Sequence, residues 1–192
     1  MAIYNTQYLT NLAESRAFSQ TDRMFTESRE TLDFDIFLSH SFLDRSVIKG
    51  LFIELKSMGF KVYVDWIVDP HLDRNNITKE SAELIRNRMK SSKSLLLAVS
   101  TNAVTSKWMP WELGFADGHS GKCAVLPVSD QVYAQNSYTG FEYLKLYPFV
   151  KKQVNMSQQE KLWVIESATK YVVLEDFIFM ASKPYERTTK IF

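Results

Sequence analysis

FDIFLSHSFLD, residues 34–44, joins an almost wholly apolar run to an abrupt polar turn. Phe34 to Leu38 mixes aromatic, β-branched and aliphatic side chains with little alternation. A strand with one wet face alternates; a strand covered on both faces does not. Three further short runs are rich in β-branched, aliphatic and aromatic residues, KVYVD at 61–65, SLLLAVS at 94–100 and CAVLPV at 123–128, and two of the four show little alternation. Strands of this kind belong to parallel sheets lying under helices.

The intervals between the runs carry helical periodicity. Residues 44–60 place apolar side chains at 47, 48, 51, 52, 55 and 58, and Gly59 supplies a stop. Residues 77–92 carry Ile77, Ala82, Leu84, Ile85 and Met89, with Asn76 as the candidate cap. In SKWMPWELGFADGHSG, residues 106–121, Ser106 is the candidate cap, Pro110 fits only a first turn, and Gly118 and Gly121 mark the end. Strand and helix in strict alternation predict an α/β domain with a central parallel sheet flanked by helices.

The flanks are less sharply patterned. Residues 1–32 are expected to form a helical N-terminal extension, with Arg16, Arg23 and Arg29 on a solvated face. The domain then spans 33–192 with an extended C-terminal part. There, 129–141 reads as a loop and 157–179 as a helix at first, with Leu162, Trp163 and Ile165 facing inward. YVVLEDFIF at 171–179 fits strand or helix equally, and 182–192 is unassigned.

Composition narrows the function. The 192 residues are 45% apolar and 23% charged, as in an ordinary globular protein, and the 14% aromatic share needs a core or a ligand to cover it. A net charge of +1 points to neither nucleic acid nor an anionic membrane as partner. The single cysteine, Cys123, allows no intramolecular disulfide and suits a reducing compartment. The N-terminal residues lack the pattern of a signal peptide, and the longest aliphatic run, 95–99, is too short to span a bilayer. A cytoplasmic protein is expected.

Ligands of open parallel sheets bind at the carboxyl ends of the strands. That rule selects Ser39, His40, Ser41, Phe42 and Asp44, then Asp65 and Trp66, then the segment 100–108 that leads into Glu112. On a helix, Trp108 and Phe115 share the side of Glu112, so Glu112 is expected at a pocket rim with an aromatic wall. Trp108 is that wall and Trp111, on another face, belongs to the core. A plainer account is open at this level: acids suit first turns of helices, and rings at helical spacing are more often core than ligand contacts. His40 reads as a hydrogen-bonding residue of a strand end. The three histidines have no metal-ligand spacing with Cys123, and neither a glycine-rich phosphate loop nor a G-x-S-x-G elbow occurs. Asp69, Asp73 and Arg74 are expected to solvate a loop.

Taken in order, these pieces resemble a TIR domain. FDIFLSHSFLD is similar to its first strand and following loop, GFKVYVDWIVDP to its second strand and BB loop, and KCAVLPV to its fourth strand. MKSSKSLLLAVSTNAVTSKWMPWEL resembles the third strand and the helix with the W-x-x-x-E arrangement. The resemblance covers roughly 33–130. It implies a flavodoxin-like fold and, in the enzymatic members, cleavage of the nicotinamide–ribose bond of NAD. It also implies Glu112 as catalytic residue, Ser39, Phe42, Asp65, Trp66 and Trp108 as substrate-binding residues, and NAD as substrate with no separate cofactor and no metal. More narrowly, the chain resembles the TIR-like component of the Thoeris antiphage system. That implies a cyclic ADP-ribose isomer as signal, an effector activated by it, self-association and a phage-derived trigger, with weak activity before triggering. Two departures stand out: no arginine pair follows LSH, and the loop at 66–76 has no glycine. A TIR module that only assembles with other TIR proteins, and a nucleoside-processing enzyme of the deoxyribosyltransferase type, are the alternatives.

Overall fold

A computed structural model describes residues 4–72, 76, 78–129, 142–155 and 157–180. The chain runs β1 (Tyr4–Asn5), α1 (Thr6–Ser15), α2 (Phe18–Arg29), β2 (Phe34–Ser39), α3 (Arg45–Ser57), β3 (Val62–Tyr63), α4 (Asp65–Val68) and α5 (Lys79–Lys90). It continues through β4 (Ser92–Val99), α6 (Trp108–His119), β5 (Cys123–Ser129), β6 (Phe149–Val154), β7 (Glu160–Ile165), β8 (Tyr171–Val173) and α7 (Leu174–Phe179).

One mixed sheet has the order β3-β2-β4-β5-β6-β7-β8, with β1 beside the end of β5. The four runs read from the sequence form the parallel strands β3, β2, β4 and β5; β6, which the sequence reading does not foresee, adds a further parallel strand, and β7 and β8 continue the sheet antiparallel. Successive residues of β4 feed opposite layers. Leu96 and Ala98 join one core with Ile36, Leu38, Leu51 and Leu9; Leu95 and Leu97 join the other with Phe37, Met109, Leu113 and Val125. Both sets are buried, which is why period-two alternation is missing from the sequence.

Residues 4–29 pack onto this frame. Tyr4 pairs in register with Val128, and Leu9 is fully buried. Helix α1 approaches α3 so closely that a Cβ on Gly50 would stand 2.0 Å from the Leu9 carbonyl oxygen. Arg23 and Arg29 are exposed, as read from the sequence, whereas Arg16 is half-buried against Met24; Arg29 also donates from Nε to the Ile67 carbonyl at 2.9 Å and ties α2 to α4.

The structure corrects several local readings. Residues 160–165 are strand β7, not helix. Leu162, Trp163 and Ile165 are buried there, but so is Val164, because β7 is covered on both faces and paired with β6 and β8. The ambiguous 171–179 divides into β8 and α7. Thr78, not Asn76, caps α5, in a reciprocal box with Ser81. Helix α6 starts at Trp108, one residue later than a Ser106 cap places it, yet Ser106 Oγ still accepts from the Met109 N–H at 3.4 Å, and the helix runs through Gly118. Gly121, at φ 63°, then supplies the left-handed turn. Asp73, Arg74 and most of the segment 129–141 lie outside the described residues, as does 182–192.

Candidate active site

Helix α6 buries one stripe: Met109, Glu112, Leu113 and Ala116. Glu112 is the one acid among these apolar residues and is fully buried. The stripe packs toward the strand ends, and the group that meets Glu112 there is the last residue of β2. Ser39 Oγ donates to Glu112 Oε2 across 2.5 Å, and Ser39 is itself fully buried. The strand-end rule places both residues on one rim, and the structure brings them into contact.

The rings sit beside the carboxylate on an adjoining side of α6. Trp108 and Trp111 meet edge to face at 5.5 Å, Trp111 and Phe115 lie 6.3 Å apart, and Phe115 stacks near His119 at 5.9 Å. Trp108 and Phe115 pack partly against the core. Trp111 does not belong to the core as expected: it is 37% exposed. Its helical position falls outside the sector that faces the sheet.

The loop after β2 and the start of α4 form the other side of the rim. His40 is buried, with Nδ1 2.9 Å from the Leu38 carbonyl. A ring nitrogen at that distance from a carbonyl acts as donor, which leaves Nε2 to accept from Trp66 Nε1 at 3.2 Å. Asp65, also buried, brings Oδ1 within 3.4 Å of the same Nε2. His40 is thus the hydrogen-bond partner that orients Trp66, with the Asp65 carboxylate standing beside the same ring nitrogen. Trp66 packs partly against the core and meets Phe25 of α2 edge to face at 6.0 Å. Phe42, in the 3-10 turn 42–44, is 46% exposed. Of the residues selected from the sequence, Ser39 and Glu112 touch, and Asp65 and Trp66 cluster on His40. Phe42 and Trp108 stand at the periphery.

Sequence reading missed three features, each of which includes a contact between different elements of the fold. Asp69 does not solvate a loop: it is buried, accepts from Tyr63 OH at 2.9 Å, and pairs with Arg88 through both guanidinium arms at 2.8 and 2.9 Å. Asp44 accepts from Ser100 Oγ at 2.5 Å and Asn102 Nδ2 at 2.7 Å, tying the β2 loop to the β4 loop. Arg45 stands against the rings of Phe42 and Trp66. A separate cleft of about 300 Å³, lined by Met58, Phe60, Leu162 and Glu175 among others, shares no residue with this rim. Among the described residues no group of three His, Cys, Asp or Glu side chains is placed to hold a metal ion, and no helix is long and apolar enough to cross a membrane.

The TIR domain family model matches residues 36–159, from β2 through β6. The chain belongs to the TIR domain family. A protein of Bacillus cereus (strain MSX-D12), "Probable 3' cyclic ADP-D-ribose synthase ThsB'", is 49% identical over 146 residues, covering 76% of this chain and 75% of that protein. "Putative cyclic ADP-D-ribose synthase TIR2" of Cytobacillus dafuensis is 24% identical over 110 residues, which span 57% of this chain and 29% of that protein. A crystal structure of the TIR domain of the Toll-related receptor TRR-2 from Hydra magnipapillata aligns with a TM-score of 0.42 and 20% identity, over 60% of this chain and 83% of that one. In this TIR domain the W-x-x-x-E element is Trp108 to Glu112, and its glutamate is the residue held by Ser39.

Proposed function

We propose that this TIR protein cleaves the nicotinamide–ribose bond of NAD and closes the ADP-ribose on itself, releasing a cyclic ADP-ribose isomer as a signal. The observation that carries the reading is the Glu112 carboxylate, fully buried at the strand-end rim and oriented by Ser39. Kinship with two proteins named as cyclic ADP-D-ribose synthases supports it. The more similar of them is named for the 3' isomer, and the same product is proposed here.

The chemistry suits one carboxylate. As the ribose C1–nitrogen bond breaks, its electron pair leaves with nicotinamide, which departs neutral from a cationic ring. Positive charge builds on the ribose, as in glycoside cleavage. A fixed carboxylate beside the ring stabilises that charge, and low local polarity strengthens the effect. An internal hydroxyl of the same ADP-ribose then bonds to C1 and gives up its proton. Aromatic surfaces that exclude water favour this closure over hydrolysis. No separate cofactor is part of the scheme: NAD is the substrate.

A carboxylate with no solvent-accessible surface cannot touch a ribose. The described arrangement is therefore a resting one, and catalysis needs the rim side chains to part. This supports weak activity before triggering. A phage-derived trigger, self-association that leaves Trp111 less exposed, and an effector answering to the cyclic product complete the proposal for antiphage defence.

The test is incubation with NAD, with and without lysate from phage-infected cells, followed by mass analysis of nucleotides. Nicotinamide and a cyclic isomer are expected from the wild type and neither from Glu112→Gln. Full activity in Glu112→Gln, or NAD left intact under every trigger while the protein still self-associates, overturns the reading in favour of an assembly module. Cleavage of nucleosides with NAD untouched favours the deoxyribosyltransferase alternative.

A further inference from the structure

Arg45 opens α3 on the loop that follows Ser39, and its surroundings are unusual for a surface cation. Its guanidinium carbon lies 4.2 Å from the centre of the Phe42 ring and 5.3 Å from that of Trp66. Two rings thus hold one charge, by an attraction that fixes its position without satisfying its N–H donors. The carboxylate next in sequence, Asp44, accepts from Ser100 and Asn102, and Asp65, next to Trp66, stands beside His40. Among the described residues no carboxylate pairs with Arg45. Trp66 is anchored in turn by its Nε1 bond to His40, the residue next to Ser39. A chain of contacts therefore runs from Glu112 through Ser39 and His40 to Trp66 and Arg45.

We propose that Arg45 is an anion-binding residue of this site and receives the diphosphate of the dinucleotide. This rests on the reading of the site as one for NAD, and it identifies the group that fixes the substrate's middle while Glu112 meets the ribose. Arginine suits this role. Its planar fork matches two phosphate oxygens, and a guanidinium already held between rings loses little freedom on binding. The 46% exposed Phe42, otherwise an apolar ring in water, becomes the support of that cation.

The experiment compares binding of ADP and of adenosine to wild type, Arg45→Ala and Arg45→Lys by calorimetry, alongside the KM and kcat of nicotinamide release from NAD. The wild type is expected to bind ADP more tightly than adenosine. Arg45→Ala should lose about tenfold or more of the ADP affinity, the size of a charge-assisted contact, while adenosine binding stays the same. Arg45→Lys should restore part of the loss, and KM should rise with kcat at saturation nearly unchanged. A wild type that prefers ADP no more than adenosine overturns the proposal, as does an Arg45→Ala variant that loses both ligands equally. Unaltered KM in Arg45→Ala together with nicotinamide release overturns the role of Arg45 and leaves NAD cleavage standing. ADP binding lost in Arg45→Ala, with NAD never cleaved, supports the anion site and removes the cleavage reading.

Discussion

Ser39 Oγ and Glu112 Oε2 lie 2.5 Å apart, both on fully buried residues and 73 positions distant in the chain. The bond joins the end of β2 to the second turn of α6, so one hydroxyl fixes where the carboxylate points. Ser39→Ala removes this donor from a buried carboxylate. The expected cost is about 1–3 kcal/mol of stability and at least about tenfold in nicotinamide release. Urea unfolding and the NAD assay read the two effects. Unchanged release in a folded Ser39→Ala protein would show that the serine does not position the carboxylate.

The strands that position this pair are legible because burial on both faces strips polar residues from them. Nothing comparable marks β6: FVKKQV carries two lysines, one of them buried, and the other pairs with Glu54 at 2.9 Å and Glu160 at 2.8 Å. A lysine neutralised by a glutamate in a distant helix cannot be recognised in a local window. Strand β7 fails differently. Leu162, Trp163 and Ile165 satisfy a helical stripe as well as a buried strand, and pairing with β6 and β8 decides. On α6 the periodicity is right but its phase is not, since the sector facing the sheet centres on Met109, Glu112, Leu113 and Ala116 and leaves Trp111 out. The strand-end rule gathers Ser39, Asp65 and Glu112 at one rim; it has no means of showing which of them touch.

The Asp69–Arg88 pair gives a second prediction. Asp69 is buried and accepts hydrogen bonds from Tyr63 and from both arms of Arg88. Arg88→Met strands the carboxylate with one hydroxyl. The Arg88 side chain keeps 22% exposure, so part of the interaction is screened, and the expected loss is about 2–3 kcal/mol. The double variant Arg88→Met with Asp69→Leu should recover much of it, because no charge remains buried without a partner. Because Asp69 closes α4, which carries Asp65 and Trp66, Arg88→Met should also raise the KM for NAD. A double-mutant cycle by urea unfolding checks the first claim; additive losses would remove it.

Gly50 gives a third. A Cβ there would fall 2.0 Å from the Leu9 carbonyl oxygen and 2.6 Å from its carbon, both backbone atoms of α1. No rotamer change relieves such a clash, so α1 must draw back from α3 and uncover Leu9. Gly50→Ala is expected to cost about 1–3 kcal/mol or more, despite the better helix propensity of alanine. Thermal unfolding should show a lower midpoint. A rise would mean that the two helices do not meet as described.

Cys123 gives a prediction whose sign follows from burial. The thiol sits at the start of β5 in the core, and desolvation, aided by Asp117, pushes it from 9.0 up to about 12. In the unfolded chain it loses its proton around pH 9, whereas in the folded chain it holds the proton up to about pH 12. The folded state then binds more protons across that window. Its stability from this group is fully present below pH 9.0 and is lost as pH rises toward about 12. Tyr147, raised to about 12 by burial and by its bond to Asp117, acts in the same direction. Cys123→Ala should therefore flatten the alkaline fall in urea midpoint without abolishing it. Native protein at about pH 8 should also resist iodoacetamide until it unfolds, since little thiolate is present and the sulfur is covered. An alkaline profile identical in wild type and Cys123→Ala would assign the fall to groups other than this thiol, Tyr147 and Lys152 among them.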